Sequence, residues 1–262
     1  MYRTSAFAEY LQEVKVRVLR IAIASAFIAV FCMTFSIGNY YFSGYKIPMP
    51  YPDPSHNLAT QVTHAMAKNL LPKSVKPIQV TPQGAFVTQF YVAILLGIIL
   101  SFPITVKELV SFLTPALYQR EIEILKKITL PSIGLFTIGC IFSYSIVIPN
   151  VLNFLYKYGE SIGVSTFFNI SDFVPFVLQL LVVFGVCYQL PLIMWAITAF
   201  KMVEPDFWRN NLRYVIIVLI VFAALITPDG SGITMWFVAG PMLLLYVVGM
   251  MFTERHSKRI VS

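Results

Sequence analysis

The segment LTPALYQREIEIL, residues 113–125, places two of the chain's twelve acidic residues, Glu121 and Glu123, in a short polar break within a sequence that is 58% hydrophobic. A carboxylate only accepts hydrogen bonds, and arginine suits it best because the planar fork of guanidinium donors can meet both oxygens at once. With residues 116–127 helical, Glu123 has Lys126 and Lys127 at i+3 and i+4, a common surface arrangement that accounts for it. Glu121 has Ile124 and Leu125 at those distances and Leu117 and Tyr118 one turn earlier, so no cation on its own face satisfies it. It reads either as a solvated glutamate or as a carboxylate left for an outside cation. Glu13 poses the same choice, with Arg17 at i+4 available as an intrahelical partner.

Residues for covalent chemistry are missing from the pattern. His56, His64 and His256 are scattered, no H-E-x-x-H, G-x-S-x-G or phosphate-binding loop occurs, and GSG at 230–232 suits a tight turn. Cys32, Cys140 and Cys187 fall in different apolar segments, with no C-x-x-C spacing and no disulfide framework. No catalytic residue, metal ligand or cofactor is expected, and the chain does not read as an enzyme.

The elements that hold the acids are apolar helices. A mean hydropathy of +0.76 with 12% charged residues marks a membrane protein. Six segments are apolar enough to span, at residues 21–37, 86–106, 128–156, 173–200, 214–226 and 233–252. Runs such as YVAILLGIIL do not alternate, which excludes a barrel and leaves an all-α integral membrane protein of six transmembrane helices forming one domain, 1–262. Fourteen lysines and arginines lie in the tails and even-numbered loops, at 1–20, 107–127, between spans four and five, and at 253–262, against five on the other side. That bias predicts both termini in the cytoplasm. The net charge of +7 follows from this topology and from attraction to membrane lipids, with no call for nucleic acid.

Residues 5–19 put Phe7, Tyr10, Leu11, Val14 and Val18 on one stripe, predicting an amphipathic cytoplasmic helix that runs into the first span. In the long external loop, 38–85, Leu58, Val62, Met66 and Leu70 predict a short helix capped by Ser55 and ended by Pro72. Spans three and four are long enough to require tilt, whereas 13 apolar residues in the fifth give only about 20 Å of helix.

Two sequence patterns are specific. YLQEVKVRVL at 10–19, followed by a span, is similar to the N-terminal E-L-(R/K)-x-R signature of the twin-arginine translocase C subunit family, TatC. The pattern P-x4-(Q/E)-x3-F-x2-P-x-L-Y-x2-E, running from Pro103 through Glu108, Phe112, Pro115, Leu117 and Tyr118 to Glu121, resembles that family's first cytoplasmic loop. Pro131, Pro149, ISDFVPFVL, YQLP at 188–191 and ITPDG at 226–230 continue the resemblance in order along the chain.

The resemblance implies a concave bundle with short fifth and sixth helices in the cell membrane. It implies a core receptor that binds twin-arginine signal peptides of folded cargo, assembles in several copies with single-span subunits of the TatA and TatB type, and is driven by the proton-motive force. It carries signal-peptide recognition onto Glu13 and Glu121, with Arg17, Phe112, Pro115, Leu117 and Tyr118 around them. Partner-subunit contact falls on Glu108, Gln189, Thr227 and Asp229. Two departures stand out: glutamine is usual where this chain has Glu108, and glutamate where it has Gln189. The expectation is a relocated intramembrane acid, with both residues facing one cytoplasmic-half cavity; the plainer reading pairs Glu108 with Lys107 or headgroups. Lys15 stands where arginine is more frequent, and Asp229 also suits a plain turn. Without the resemblance, the chain reads next as a six-helix secondary transporter of a small solute or ion, although its spans hold few of the deep charges such a site needs.

Overall fold

The computed structural model describes residues 2–42, 45–71, 75, 77–161, 163, 167–227 and 232–261. They pack as two compact units, the first made of Met1–Leu113 with Ser165–Gln179, the second of Thr114–Val164 with Leu180–Ser262.

The first unit is organised by α1, Tyr2–Thr34, which carries the amphipathic N-terminal stretch into the first apolar segment without a break. At 33 residues it is about 50 Å long. A two-stranded antiparallel hairpin follows, β1 (Phe35–Phe42) and β2 (Tyr45–Pro52), paired from Phe35 opposite Pro52 to Phe42 opposite Tyr45. The hairpin is a small β element, not expected from the sequence, in a fold that is otherwise mostly helical as expected. Its origin is visible in β2, where Pro48, Pro50 and Pro52 alternate and turn their missing N–H groups to one edge, leaving the other edge to pair and the outer one unable to recruit a third strand. The Asp53 amide then donates to the Thr34 carbonyl at 3.1 Å, closing the hairpin onto the end of α1.

Helix α2, Leu58–Leu70, is capped by Asn57, whose side chain accepts from the Thr60 amide, and not by Ser55. The Ser55 amide instead donates to the Asp53 carboxylate, because a proline one residue before it fixes a turn there. The stripe that α2 buries is Ala59, Thr63, Met66 and Leu70. Helix α3, Gly84–Leu100, packs on α1 at Gly97, where a Cβ would stand 2.5 Å from the Ser25 carbonyl oxygen; only glycine allows that approach. A bend of 49° separates α3 from α4, Phe102–Leu113. Pro103 explains it, since its ring blocks continuation and removes a donor. The bend brings α4 onto α1. Residues 165–179 join this unit through a parallel bridge, with the Ile78 amide donating to the Phe168 carbonyl and the Ile170 amide to the Ile78 carbonyl.

The second unit opens with a 3-10 turn, Thr114–Ala116, and α5, Gln119–Phe142. A π-helical stretch, Ser143–Val147, joins α5 to α6, Ile148–Ser161. The widened turn precedes Pro149, which cannot donate to the carbonyl four residues back. Next come α7 (Ile170–Cys187), shared with the first unit, then α8 (Leu190–Ala199) after a break at Tyr188–Gln189, α9 (Asp206–Asn210), α10 (Leu212–Ile226) and α11 (Ile233–Val261). Gly139 of α5 lies so close to the Phe184 carbonyl oxygen that a Cβ would meet it at 2.7 Å. Tyr246 donates to the Trp208 carbonyl and the Trp208 indole donates to Thr198 Oγ1, tying α11, α9 and α8 together.

Four helical stretches among the described residues are long and apolar enough to cross a membrane: Leu11–Thr34, Gln119–Ser161, Ile170–Ala199 and Ile233–Arg255. The bent pair α3 and α4 makes a fifth, and α10, at 15 residues, is a shorter apolar helix of about 22 Å. The fifth apolar segment is therefore short as expected, whereas the sixth is not: α11 runs 29 residues because its polar tail continues the helix.

Candidate functional site

The first acid, Glu13, lies in the third turn or so of α1, on the face that also presents Arg17 and Arg20 to α4. Arg17 donates twice to one Glu13 oxygen, from Nη2 at 2.6 Å and Nε at 3.1 Å, so the bland intrahelical pair does form. Both bonds use Oε1, leaving Oε2 without a hydrogen bond among the described residues. The Glu13 side chain keeps 39% of its surface exposed, beside an open cavity of about 370 Å³ lined by Gln12, Val16 and the two arginines.

Arg17 also reaches α4. Its Nη1 lies 3.4 Å from the Glu108 carbonyl oxygen and 3.5 Å from Glu108 Oε2, and Arg20 Nη1 stands 3.6 Å from that same oxygen. Glu108 therefore balances arginines of α1 and not Lys107, for which no ion pair occurs among the described residues. Two acids and two arginines make a neutral cluster with Arg17 and Glu108 nearly buried at its centre.

The second acid sits at the start of α5. Tyr118 is the N-cap residue, in extended conformation, and its amide donates to Glu121 Oε2 at 2.9 Å. This is half of a capping box, with the glutamate at the third helical position reaching back to an orphan donor. The Glu121 amide itself bonds the Tyr118 carbonyl. Glu121 is thus not wholly free, as its spacing suggested: one oxygen serves the helix end. The other has no partner and no cation pairs with it among the described residues. Just before it in the chain, Tyr118 is 81% exposed, Pro115 is exposed and Leu117 half-buried; Phe112, at the end of α4 in the first unit, is half-buried. Glu123 and Lys126 or Lys127 form no ion pair among the described residues, so the account of Glu123 as one half of a surface pair does not hold.

Gln189, at the break between α7 and α8, is 8% exposed and fully engaged. Ser132 Oγ donates to its Oε1 at 2.7 Å, and its Nε2 donates to the Ser132 carbonyl at 3.0 Å. A neutral amide suits this place because it both gives and accepts; a glutamate here could only accept. Thr227 is buried at the end of α10, its hydroxyl donating to the Ala223 carbonyl. Asp229 lies outside the described residues. Arg20 and Ser132 were missed as site residues, since each gains its role from a partner far along the chain.

The sequence matches over residues 9–241 the family described as Sec-independent protein translocase protein (TatC). It is 48% identical over 253 residues to the Sec-independent protein translocase protein TatC of Cenarchaeum symbiosum (strain A), covering 97% of this chain and 96% of that one. The protein of that name from Akkermansia muciniphila is 31% identical over 178 residues, 68% of this chain and 51% of the relative, about half its length. In fold, the chain is similar to a crystal structure of the twin arginine translocase receptor TatC, with a TM-score of 0.77 at 24% identity over 95% of this chain and 99% of that one. The order of the helices, the paired arginines of α1 and the capped glutamate of α5 therefore stand in a chain that belongs to the TatC family of Sec-independent protein translocase proteins.

Proposed function

We propose that this protein is the core receptor of a twin-arginine export system, capturing the signal peptides of folded cargo at Glu13 and Glu121. The observation that carries the reading is the Glu121 carboxylate, held at an exposed helix start with one oxygen unoccupied and no cation beside it among the described residues. An arginine of an incoming peptide completes it. Partly desolvated, such a charge-assisted contact contributes about 1.5–3 kcal/mol, against about 0–1 for an exposed pair. Lysine, a point donor, cannot span both carboxylate oxygens, which makes arginine the preferred ligand.

In this reading the chain is one multi-pass domain of the cell membrane with six spans and both termini in the cytoplasm, and α10 crosses where the bilayer thins. Phe112, Pro115, Leu117 and Tyr118 form the apolar surround of the captured peptide. Contact with single-span subunits of the TatA and TatB type is assigned to the segments that carry Gln189, Thr227 and Asp229, with the buried Gln189 and Thr227 shaping those segments from within; several copies assemble, and the proton-motive force drives transport without catalysis by this chain. The relationship of the sequence to TatC proteins favours this over a small-solute transporter. Export of a folded reporter bearing Arg-Arg or Lys-Lys in its tag tests the proposal: the Lys-Lys tag should fail in cells depending on this protein, and equal export of both would contradict it.

A further inference from the structure

A second cluster of charge in the second unit takes no part in the reading above. Arg120, Glu123 and Lys127 of α5 face Lys201 and Glu204, which follow α8, across an open cavity of about 780 Å³. None of these five forms an ion pair or hydrogen bond through its side chain among the described residues. Oppositely charged groups that leave each other unpaired around one cavity are arranged for a ligand carrying both an anion and hydrogen-bond donors. The remaining wall is mostly apolar, with Ile124, Trp195 and Val203 beside the hydroxyls of Thr198 and Thr253, and Met202 is 72% exposed.

The end of α8 fixes where Lys201 stands. Lys201 holds φ +57°, the sole left-handed residue other than glycine among those described. Lys201 is the residue after the α8 C-cap, with its amide donating to the Thr198 carbonyl at 2.9 Å and the Met202 amide to the Ile197 carbonyl at 3.2 Å, a helix-ending turn that glycine usually occupies.

The geometry of α5 tells which kind of ligand. Residues 120, 124 and 127 continue on the same helical face into Leu130, Gly134, Ile138 and Ile141. Leu130 is 78% exposed, Ile138 54% and Ile141 60%, and a Cβ at Gly134 would meet nothing within 4 Å. The charged cavity therefore adjoins an exposed apolar face of α5 about three turns long. A free phosphate would use only the first part; an amphiphile uses both.

We propose that this cavity binds the phosphodiester headgroup of a membrane lipid, with Arg120, Lys127 and Lys201 on the phosphate, Glu123 and Glu204 on headgroup hydroxyl or ammonium donors, and the chains along the exposed apolar face of α5. Basic pockets between helix ends bind lipid headgroups through the same charge-assisted contacts. The site rests on the reading of these helices as membrane spans, and not on signal-peptide capture.

The test uses the purified full chain, stripped of lipid in detergent and titrated with phosphatidylglycerol, with retention read by native mass spectrometry. Lys201→Gly removes a cation while relieving the backbone, so loss of binding cannot be charged to unfolding. It should weaken phosphatidylglycerol retention about tenfold, the loss of one charge-assisted contact, with unchanged or raised thermal stability. Arg120→Gln with Lys127→Gln should weaken it further. Glycerol 1-phosphate should not compete, and a diacylglycerol lacking phosphate should not be retained. Equal retention in wild type and Lys201→Gly, or competition by glycerol 1-phosphate at concentrations matching the lipid, would overturn the proposal. Signal-peptide capture measured on the same samples should remain at the wild-type level in Lys201→Gly, so failure of the lipid site and failure of the receptor reading give different results.

Discussion

Glu108→Gln separates the two roles open to the carboxylate of α4. In the structure Glu108 Oε2 faces Arg17 at 3.5 Å and Arg20 at 3.6 Å, and the Glu108 side chain is 14% exposed. At an effective dielectric of 20 each attraction is about 4.5–5 kcal/mol before costs. Burying the carboxylate, bringing Glu13 near it and crowding two guanidinium groups offset most of that, and glutamine still offers an oxygen to Arg17. The net loss expected is about 1–2 kcal/mol, between the exposed and fully buried extremes, or roughly five- to thirty-fold in the folded-to-unfolded ratio. The assay is a double-mutant cycle of Glu108→Gln and Arg17→Gln, read by reversible unfolding in mixed micelles. A coupling of about 1 kcal/mol is expected. A coupling below about 0.3 kcal/mol, the limit of ordinary additivity, would refute the view that Arg17 and Glu108 tie α4 to α1 through this cluster.

Three further outcomes follow from single positions. Gly97→Ala should destabilise the first unit by about 1–3 kcal/mol in the same unfolding assay, since its Cβ meets the Ser25 carbonyl at 2.5 Å and backbone cannot move aside cheaply. Gln189→Leu should cost about 1–3 kcal/mol by orphaning the Ser132 groups it pairs with, whereas Gln189→Glu should be tolerated only when protonated, giving unfolding midpoints that fall as pH rises. The His56 amide, with the Ser55 amide and the His56 ring behind it, holds the Asp53 carboxyl below the ordinary carboxylate value despite some opposing desolvation. A depressed folded value means this turn is stabilised above the ordinary aspartate value and loses that support as pH falls through the folded one, so cleavage of the 53–57 turn by an acid protease should rise over that window and should do so less in Asp53→Asn.

The helices and their order were legible because apolar length is an additive property of the sequence, and the fifth segment's shortness could be counted directly. Long-range partners were not legible. Arg17 was readable as the i+4 partner of Glu13, yet its second partner, Glu108, lies 91 residues away and is brought to it only by the bend at Pro103. Glu121 could be singled out because no cation stands three or four residues from it, but the hydrogen bond that it accepts from the Tyr118 amide depends on where α5 begins, and helix starts shift by a residue or two in any pattern-based reading. Ser132 and Gln189 carry no motif in common; their pairing follows from the contact of α5 with the break before α8. The hairpin could have been found, since the alternating prolines of β2 are compatible with a paired edge strand and with little else of regular structure.

The central claim concerns Glu121, and Glu121→Gln addresses it with little structural disturbance, because the amide oxygen of glutamine still accepts from Tyr118 and keeps the helix capped. The measurement is the affinity of the full-length protein in lipid nanodiscs for a peptide bearing Arg-Arg, with its Lys-Lys counterpart as control. Loss of one charge-assisted contact should weaken Arg-Arg binding about ten- to 150-fold while leaving the weaker Lys-Lys binding nearly unchanged. Arg-Arg affinity that stays within about twofold of wild type, in a variant of normal stability, would contradict guanidinium capture by this carboxylate.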